Sequence, residues 1–375
     1  MAKPRVIVAM SGGVDSSVAA ALLLQQGHEV IGVTMRLWTE EDYSAPRFHR
    51  QCCSVEDTAD ARAACDALGI PHYVLNFERE FASGVVDYFV EEYSRGRTPN
   101  PCLACNDKVK FRPLLDYAMA LGANYLATGH YARIRRERES FQLWKALDPH
   151  KDQSYVLYTL GQDELSRTLF PVGEFSKDKI RRIAHEHALP NADKPDSADI
   201  CFIPGGNYRA FVRQRVSAQP GRIIDTAGKE VGVHQGVVDF TIGQRRGLPA
   251  RGGSPPYFVV DIDPESNTVV VGEFEELRSS SVLVEGLNFI SGETPVGDIE
   301  VEARVRYRTQ AAPAVLRVGD GVGEVRFLEP QRAVTPGQAI VFYQGERVLG
   351  GGTIARRFAG RNSQERMALG EVGGH

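Results

Sequence analysis

Cys102 and Cys105 stand three residues apart in TPNPCLACNDKVKF (residues 98–111), between a rigid Pro-Asn-Pro turn and a segment carrying Lys108 and Lys110. A third cysteine, Cys201, lies far along the chain in ADICFIP. Thiols so spaced can clip a metal, form a redox pair, or supply one reactive thiol with a neighbour. Cys105 directly precedes a predicted helix start with Asn106 or Asp107 as its cap, and the helix dipole with the two lysines would favour its thiolate. Cys201, between Ile200 and Phe202, reads by itself as a buried apolar thiol. The other chemical stretch is SGGVDSS, residues 11–17. Its glycines let the backbone close around an anion, its serines add hydroxyls, and the amides of a helix start point at the ligand. The Gly-x-x-x-x-Gly-Lys-Ser/Thr pattern of a Walker loop is absent.

These residues need elements to hold them. RVIVAM is a short apolar strand, and SSVAAALLLQQG a helix stopping at Gly27. EVIGVTMRLW and HYVLNF read as the next strands, with the helix SVEDTADARAACDALG between them. A long helix, ASGVVDYFVEEYSRG, leads to the cysteine turn; the helix DKVKFRPLLDYAMALG and a fourth strand, NYLATGHYARI, follow. Alternating strands and helices predict an α/β, doubly wound parallel sheet that binds ligands at the carboxyl ends of its strands. From about Tyr208 the texture becomes short β-rich runs separated by Gly, Pro, Asn and Asp, with a seam near residues 275–281. The last residues, 359–375, lack apolar periodicity and read as a flexible tail.

The bulk numbers bound the rest. A chain of 375 residues exceeds one ordinary core, so several domains are expected. The longest apolar run, Val18 to Leu24, is too short to span a bilayer, and no secretory leader is visible, so a cytoplasmic protein is expected. With 44 basic and 48 acidic residues the net charge is −4, and any nucleic acid must bind a local basic patch. Six cysteines are too few for a disulfide scaffold. Cys65 falls on an apolar helix face and reads as core; Cys52 and Cys53 receive no role.

SGGVDS resembles the pyrophosphatase loop of the ATP-pyrophosphatase (PP-loop) superfamily, which splits ATP between the α- and β-phosphates. Within it, GRTPNPCLACNDKVKF, ATGHYAR, KDQSYVLYTL, KPDSADICFIP, FTIGQRRGL and VTPGQAIVFY are similar to the bacterial tRNA-specific 2-thiouridylases, in order, over about Arg5 to Ile354. The resemblance implies ATP-dependent 2-thiolation of the wobble uridine of tRNA, through adenylation of its carbon-2 oxygen. It implies residues 1–206 as the nucleotide-binding catalytic domain, 207–278 as a central β-rich domain, and 279–358 as a tRNA-binding β-barrel. Rivals are an amide-forming synthetase built on the same loop, another tRNA thiolase, and a non-enzymatic RNA binder or sulfur carrier; only an enzyme would release pyrophosphate.

Residue by residue, the resemblance implies Cys105 as nucleophile and Cys201 as persulfide carrier, with Asn100, Pro101 and Cys102 meeting the flipped target base. Many family members carry Asp at position 102. Here the extra thiol leaves two readings open, a persulfide relay or a [4Fe–4S] cluster on Cys102, Cys105 and Cys201. ATP is expected on Ala9, Met10, Ser11, Gly12, Gly13, Val14, Asp15 and Ser16, with Met35 against the adenine, Gly129 at close backbone approach and Mg2+ held mostly by phosphates and water. His130, Lys151, Asp152, Gln153, Arg306, Tyr307 and Gln338 are the implied tRNA contacts, with Arg306 and Tyr307 expected on a β-strand. Implied partners are the tRNAs for Lys, Glu and Gln and a persulfide donor such as a cysteine desulfurase or sulfur relay protein, with no membrane.

Overall fold

The computed structural model describes residues 3–38, 55–196, 200–203, 206–252 and 255–358; Cys52, Cys53 and the 359–375 tail lie outside them. The first sheet holds β1 (Arg5–Ala9), β2 (Glu29–Arg36), β3 (His72–Asn76), β4 (Tyr125–Thr128) and, later in the chain, the two-residue β7 (Thr168–Leu169). All pairings are parallel and the order is β3-β2-β1-β4-β7. The chain runs outward from β1 to β3 and then returns to the other side of β1, so the order switches between β1 and β4. That is where a doubly wound sheet opens a crevice at its carboxyl ends. Helix α1 (Val14–Gln25) follows β1; nine of its twelve residues are buried, which suits its run of Val, Ala and Leu. Helix α2 (Val55–Leu68) joins β2 to β3.

Two structural features differ from the sequence expectation. NYLATGHYARI is not one strand. β4 stops at Thr128, residues 129–131 turn, and Ala132 begins β5 (Ala132–Glu137), which pairs antiparallel with β6 (Ser140–Lys145). β6 then pairs with β17 (Arg347–Phe358) near the end of the chain, at Arg347↔Trp144 and Val348↔Leu143. The second difference is the cysteine helix. It starts at Pro101 and runs through Pro101–Cys105, a π-helical Asn106–Leu114 and Leu115–Ala120. Asn100 is the N-cap, its side-chain oxygen accepting from Cys102 N at 3.1 Å, and Pro101 takes the first helical position, where its missing N–H costs nothing.

The chain continues into a four-stranded sheet of β8 (Gly221–Asp225), β9 (Glu230–His234), β10 (Phe258–Asp263) and β11 (Thr268–Gly272), ordered β10-β11-β8-β9. Then come β12 (Arg278–Phe289), β13 (Asp298–Arg304), β14 (Ala312–Gly319), β15 (Val322–Arg332), β16 (Ala339–Gln344) and β17. They pair as β12-β15-β14-β13-β16-β17, and β12 pairs again with β17, closing a six-stranded antiparallel barrel around Val282, Leu316, Val325, Phe342 and Ile354. The barrel packs directly on the first domain: Tyr155, Tyr158, Val341, Tyr343 and Val348 belong to one apolar cluster with Phe89, Cys105 and Phe111. Tyr155 Oη donates to Ala339 O at 2.8 Å, and Asn288 Nδ2 donates to Tyr158 O at 2.7 Å. Among the described residues, no helix is long and apolar enough to cross a membrane.

Candidate active site

The loop after β1 is shaped by its neighbours as much as by its own glycines. Gly12 takes φ +69°, and a Cβ there would stand 2.2 Å from the Asp57 carbonyl oxygen of α2. Only glycine meets both conditions. A Cβ at Gly129 would stand 2.6 Å from Ser16 N, so the turn after β4 presses onto the start of α1. Asn191, buried, donates Nδ2 to Gly12 O at 3.0 Å and to Ser17 Oγ at 2.9 Å, bracing the loop from outside. Ser11 N donates to Ser16 Oγ at 3.2 Å, and Ser16 Oγ donates to Gly13 O at 3.0 Å. Met10, Val14 and Met35 are buried; Ala9, Gly13 and Asp15 are half-buried.

Asp15, the second residue of α1, is the centre of a charged network. It accepts from Tyr131 Oη at 2.7 Å and from Lys177 Nζ at 2.7 and 2.8 Å. Lys177 also meets Asp196 at 2.8 Å, and Asp196 accepts from Lys151 Nζ at 2.5 Å. Burial works to raise the Asp196 carboxyl, but the two lysines outweigh it and hold it at about 2. Lys151 is thus tied, through Asp196 and Lys177, to the edge of this network.

The thiols occupy three different environments. Cys102 is exposed in the first turn of its helix, Cys105 is buried one turn on, and Cys201 is half-buried against the same apolar cluster that holds Cys105. The expected cap at Asn106 or Asp107 is thus corrected to Asn100: Cys102, not Cys105, sits at the dipole's positive end. Lys108 lies over the Tyr88 ring, 4.5 Å from its centre, and Lys110 donates to Asn106 Oδ1 at 3.0 Å. Cys65 is buried, its thiol pushed up to about 12 by burial and by Asp66, as a core residue should be.

The residues expected to touch RNA divide. Gln338 Nε2 donates to Thr98 O at 2.7 Å and to Pro99 O at 3.4 Å, while Thr98 N donates to Pro336 O at 2.9 Å. The barrel thereby grips the segment leading into Asn100, Pro101 and Cys102. Tyr307 is half-buried, and burial is the main cause raising its hydroxyl. Arg306 and Tyr307 lie in the turn after β13, not on a strand, and Arg306 Nη2 donates to Thr335 Oγ1 at 3.0 Å and to Ala333 O. Gln153, half-buried, accepts from Tyr131 N at 2.9 Å. His130 and Asp152 depart from the surface expected for them. His130 is buried between Phe111 and Phe170, with Nδ1 2.7 Å from Thr128 Oγ1, and burial then Lys110 hold it well below the usual imidazole range. Asp152, also buried, accepts from Ala146 N, Ser154 N, Ser154 Oγ and Arg304 Nη1 at 3.0–3.2 Å. Buried polar groups are kept where internal partners satisfy them, and both residues are so satisfied.

Known families match each of the three parts. Residues 4–205 match a family described as tRNA methyl transferase HUP domain, 209–273 its PRC-barrel domain, and 279–354 an aminomethyltransferase beta-barrel domain. The chain is 49% identical over 360 residues to the tRNA-specific 2-thiouridylase MnmA of Carboxydothermus hydrogenoformans, covering 95% of this chain and 98% of that one. It is 48% identical to the MnmA proteins of Roseiflexus castenholzii (94% of this chain, 99% of that one) and Desulforamulus reducens (96% and 99%). The chain belongs to the tRNA-specific 2-thiouridylase family.

Within that family the three-cysteine cluster reading finds no support. Among the described residues, no three His, Cys, Asp or Glu side chains come together in a group able to hold a metal ion, Cys102, Cys105 and Cys201 included. Sequence reasoning missed Tyr131, Lys177, Asn191 and Asp196, which build the thiouridylase loop's surroundings. One local signal existed: Lys177 follows the Ser176 cap, and a cation in a helix's first turn opposes the helix dipole.

Proposed function

We propose that this protein carries out ATP-dependent 2-thiolation of the wobble uridine of tRNA. The observation that carries the reading is one fold holding a glycine-shaped loop at a sheet switch point and a cysteine helix whose entry is gripped by the β-barrel. The family descriptions speak of methyl transfer, but the relatives near 48% identity are named for thiolation, and the thiols suit the second chemistry. The nucleotide and cysteine work is assigned to residues 1–206, with 207–278 as a connecting unit and 279–358 as the RNA-facing barrel.

In this reading the ATP phosphates rest on Ala9 to Ser16, with the adenine near Met35 and Gly129 keeping the crevice narrow. The uridine carbon-2 oxygen attacks the α-phosphorus. The bond to the bridging oxygen breaks, pyrophosphate leaves with the electron pair, and the ring-nitrogen-3 proton passes to solvent. Magnesium would supply charge neutralisation, held by phosphates and water with Asp15 as the loop's own carboxylate. Cys201 receives a terminal sulfur from a cysteine desulfurase or a relay protein. The Cys105 thiolate attacks the Cys201 inner sulfur, expelling hydrosulfide and forming a disulfide. Hydrosulfide adds at carbon-2, AMP departs, and a thiol reductant resets the pair. Asn100, Pro101 and Cys102 border the inserted base, and Lys151, Gln153, Arg306, Tyr307 and Gln338 take the tRNA, with those for Lys, Glu and Gln as the expected substrates. ATP and tRNA meet in the cytoplasm, the compartment this assigns. For Cys105→Ser, thiouridine formation should vanish while tRNA-dependent pyrophosphate release survives. Near-wild-type thiolation by that variant would remove Cys105 as nucleophile.

A further inference from the structure

Cys201 is half-buried, so whatever loads it with sulfur must bring its own sulfur to the rim of this thiol. The chain that follows differs in charge from the rest of the molecule. Residues 200–224 hold four arginines and no acidic residue, in a chain of net charge −4. Three of the four, Arg209, Arg213 and Arg215, lie on or just after the helix Tyr208–Arg213, and all three are exposed. That helix is anchored beside the thiol: the ring of Phe202, the residue after Cys201, meets the Phe211 ring edge to face at 5.3 Å. The arginines are held in place. Arg209 Nε donates to Asp239 O at 2.8 Å, and Arg213 Nε donates to Asp239 Oδ1 at 2.8 Å. Arg215 Nη1 donates to Phe211 O at 3.1 Å, with its guanidinium 3.8 Å from the centre of the Phe211 ring. Asp239 engages Arg213 and offsets one of the segment's four positive charges.

We propose that this arginine strip is the docking surface for the protein that delivers sulfur to Cys201, a partner whose persulfide cysteine sits in an acidic surface. The inference rests on the reading above in which Cys201 is the persulfide carrier. Arginine suits a protein partner, because its planar head group pairs bidentately with carboxylates, and holding it in place beforehand lowers the entropy cost of docking. RNA is the other polyanion of this reaction. Strand binding combines cations with open aromatic faces on which bases stack. Here Tyr208 is already stacked on Tyr93 at 4.8 Å, and Phe211 is buried. The tRNA contacts assigned above also all lie outside residues 200–224. In the docked pair the Cys201 thiolate attacks the terminal sulfur of the donor persulfide. A new S–S bond forms on Cys201, the donor's S–S bond breaks, and the electron pair leaves on the donor's thiolate while the terminal sulfur keeps its proton.

The test uses the full chain with a tRNA transcript and ATP, and supplies sulfur in two ways: from a cysteine desulfurase with free cysteine, or as cysteine persulfide, which needs no docking surface. Thiouridine formation is measured against the concentration of each donor, with tRNA affinity and thermal unfolding in parallel. The double variant Arg209→Glu/Arg215→Glu should raise the KM for the desulfurase at least about tenfold, because reversed rim charges act on association. Its tRNA affinity and its rate with cysteine persulfide should stay within about twofold of wild type, since no RNA phosphate is involved. Arg209→Gln/Arg215→Gln guards against a folding artefact: it introduces no repulsion, and should raise the same KM at least about threefold with the unfolding midpoint in place. Added salt should slow the wild-type desulfurase-supported reaction more steeply than the persulfide-supported one. A tRNA affinity that falls together with both thiolation rates would make the strip an RNA surface and overturn the proposal. An unchanged desulfurase KM in the folded variants would do the same, as would a wild type served no better by the desulfurase than by an equal concentration of cysteine persulfide. Failure of the carrier reading shows separately, as a Cys201→Ser variant that thiolates tRNA with the desulfurase at near wild-type rate.

Discussion

Replacing Gly129 by alanine adds one methyl group at the turn after β4. That carbon would stand 2.6 Å from Ser16 N and 2.7 Å from Asp15 C, both backbone atoms at the start of α1 that cannot rotate aside. Ordinary contact begins at 3.4 Å, so the shortfall at Ser16 is 3.4 − 2.6, or about 0.8 Å. Either the strand end or the phosphate loop must move by about that distance. Overpacking of this kind costs about 1–3 kcal/mol. For a unit of about 200 residues that corresponds to a fall of roughly 2–12 °C in the unfolding midpoint. Displacement near 1 Å in a site that orients reactants can cost about a hundredfold in rate. The assay is tRNA-dependent pyrophosphate release against ATP concentration, with thermal unfolding beside it. Gly319→Ala is the control, since nothing lies within 4 Å of a Cβ there and no left-handed φ is required. Wild-type KM, kcat and midpoint in Gly129→Ala would refute the claim that this contact sets the loop.

Two further outcomes are expected. Gln338→Leu removes the donor that holds the Thr98 and Pro99 carbonyls, so thiolation should fall at least about tenfold, with the unfolding midpoint lowered by the loss of roughly 1 kcal/mol of hydrogen bonding. If Gln338 served RNA alone, tRNA affinity would drop and proteolysis at the Arg97–Asn100 segment would stay at the wild-type rate. His130, held well below the usual imidazole range by burial and Lys110, is neutral in the fold but takes up a proton when unfolded below about 6.5. Its contribution is therefore present above that pH and is lost as the pH falls, by up to about 1.4 kcal/mol per unit. His72 and His234 are lowered too and act in the same direction. Urea unfolding of a folded His130→Gln variant between pH 7.5 and 5.5 should show a shallower decline, and an unchanged slope would exclude His130 as a source.

The phosphate loop could be read from the chain because its parts are contiguous: a strand, two glycines and a helix start within a dozen residues dictate an amide-lined turn. The α/β class followed from periodicity for the same local reason. The cysteine helix was placed at least six residues late although Asn100 and Pro101 carried the signal, because Asn106 and Asp107 offered competing caps. The split of GHYARI could not be foreseen from neighbours: β6 finds β17 about two hundred positions away, and only that pairing pulls β5 out of the first sheet.

Sequence by itself thus determined which chemistries are present, an anion cradle and separated thiols, since these depend on residue type and short spacing. Tertiary structure alone decided what surrounds them. Asp152 lies inside because Arg304 reaches it from the barrel, His130 because Phe111 and Phe170 close over it, and Lys177 meets Asp15 across 162 positions. Polarity in a sequence suggests exposure, but burial is settled by partners that only the folded chain brings within hydrogen-bonding reach.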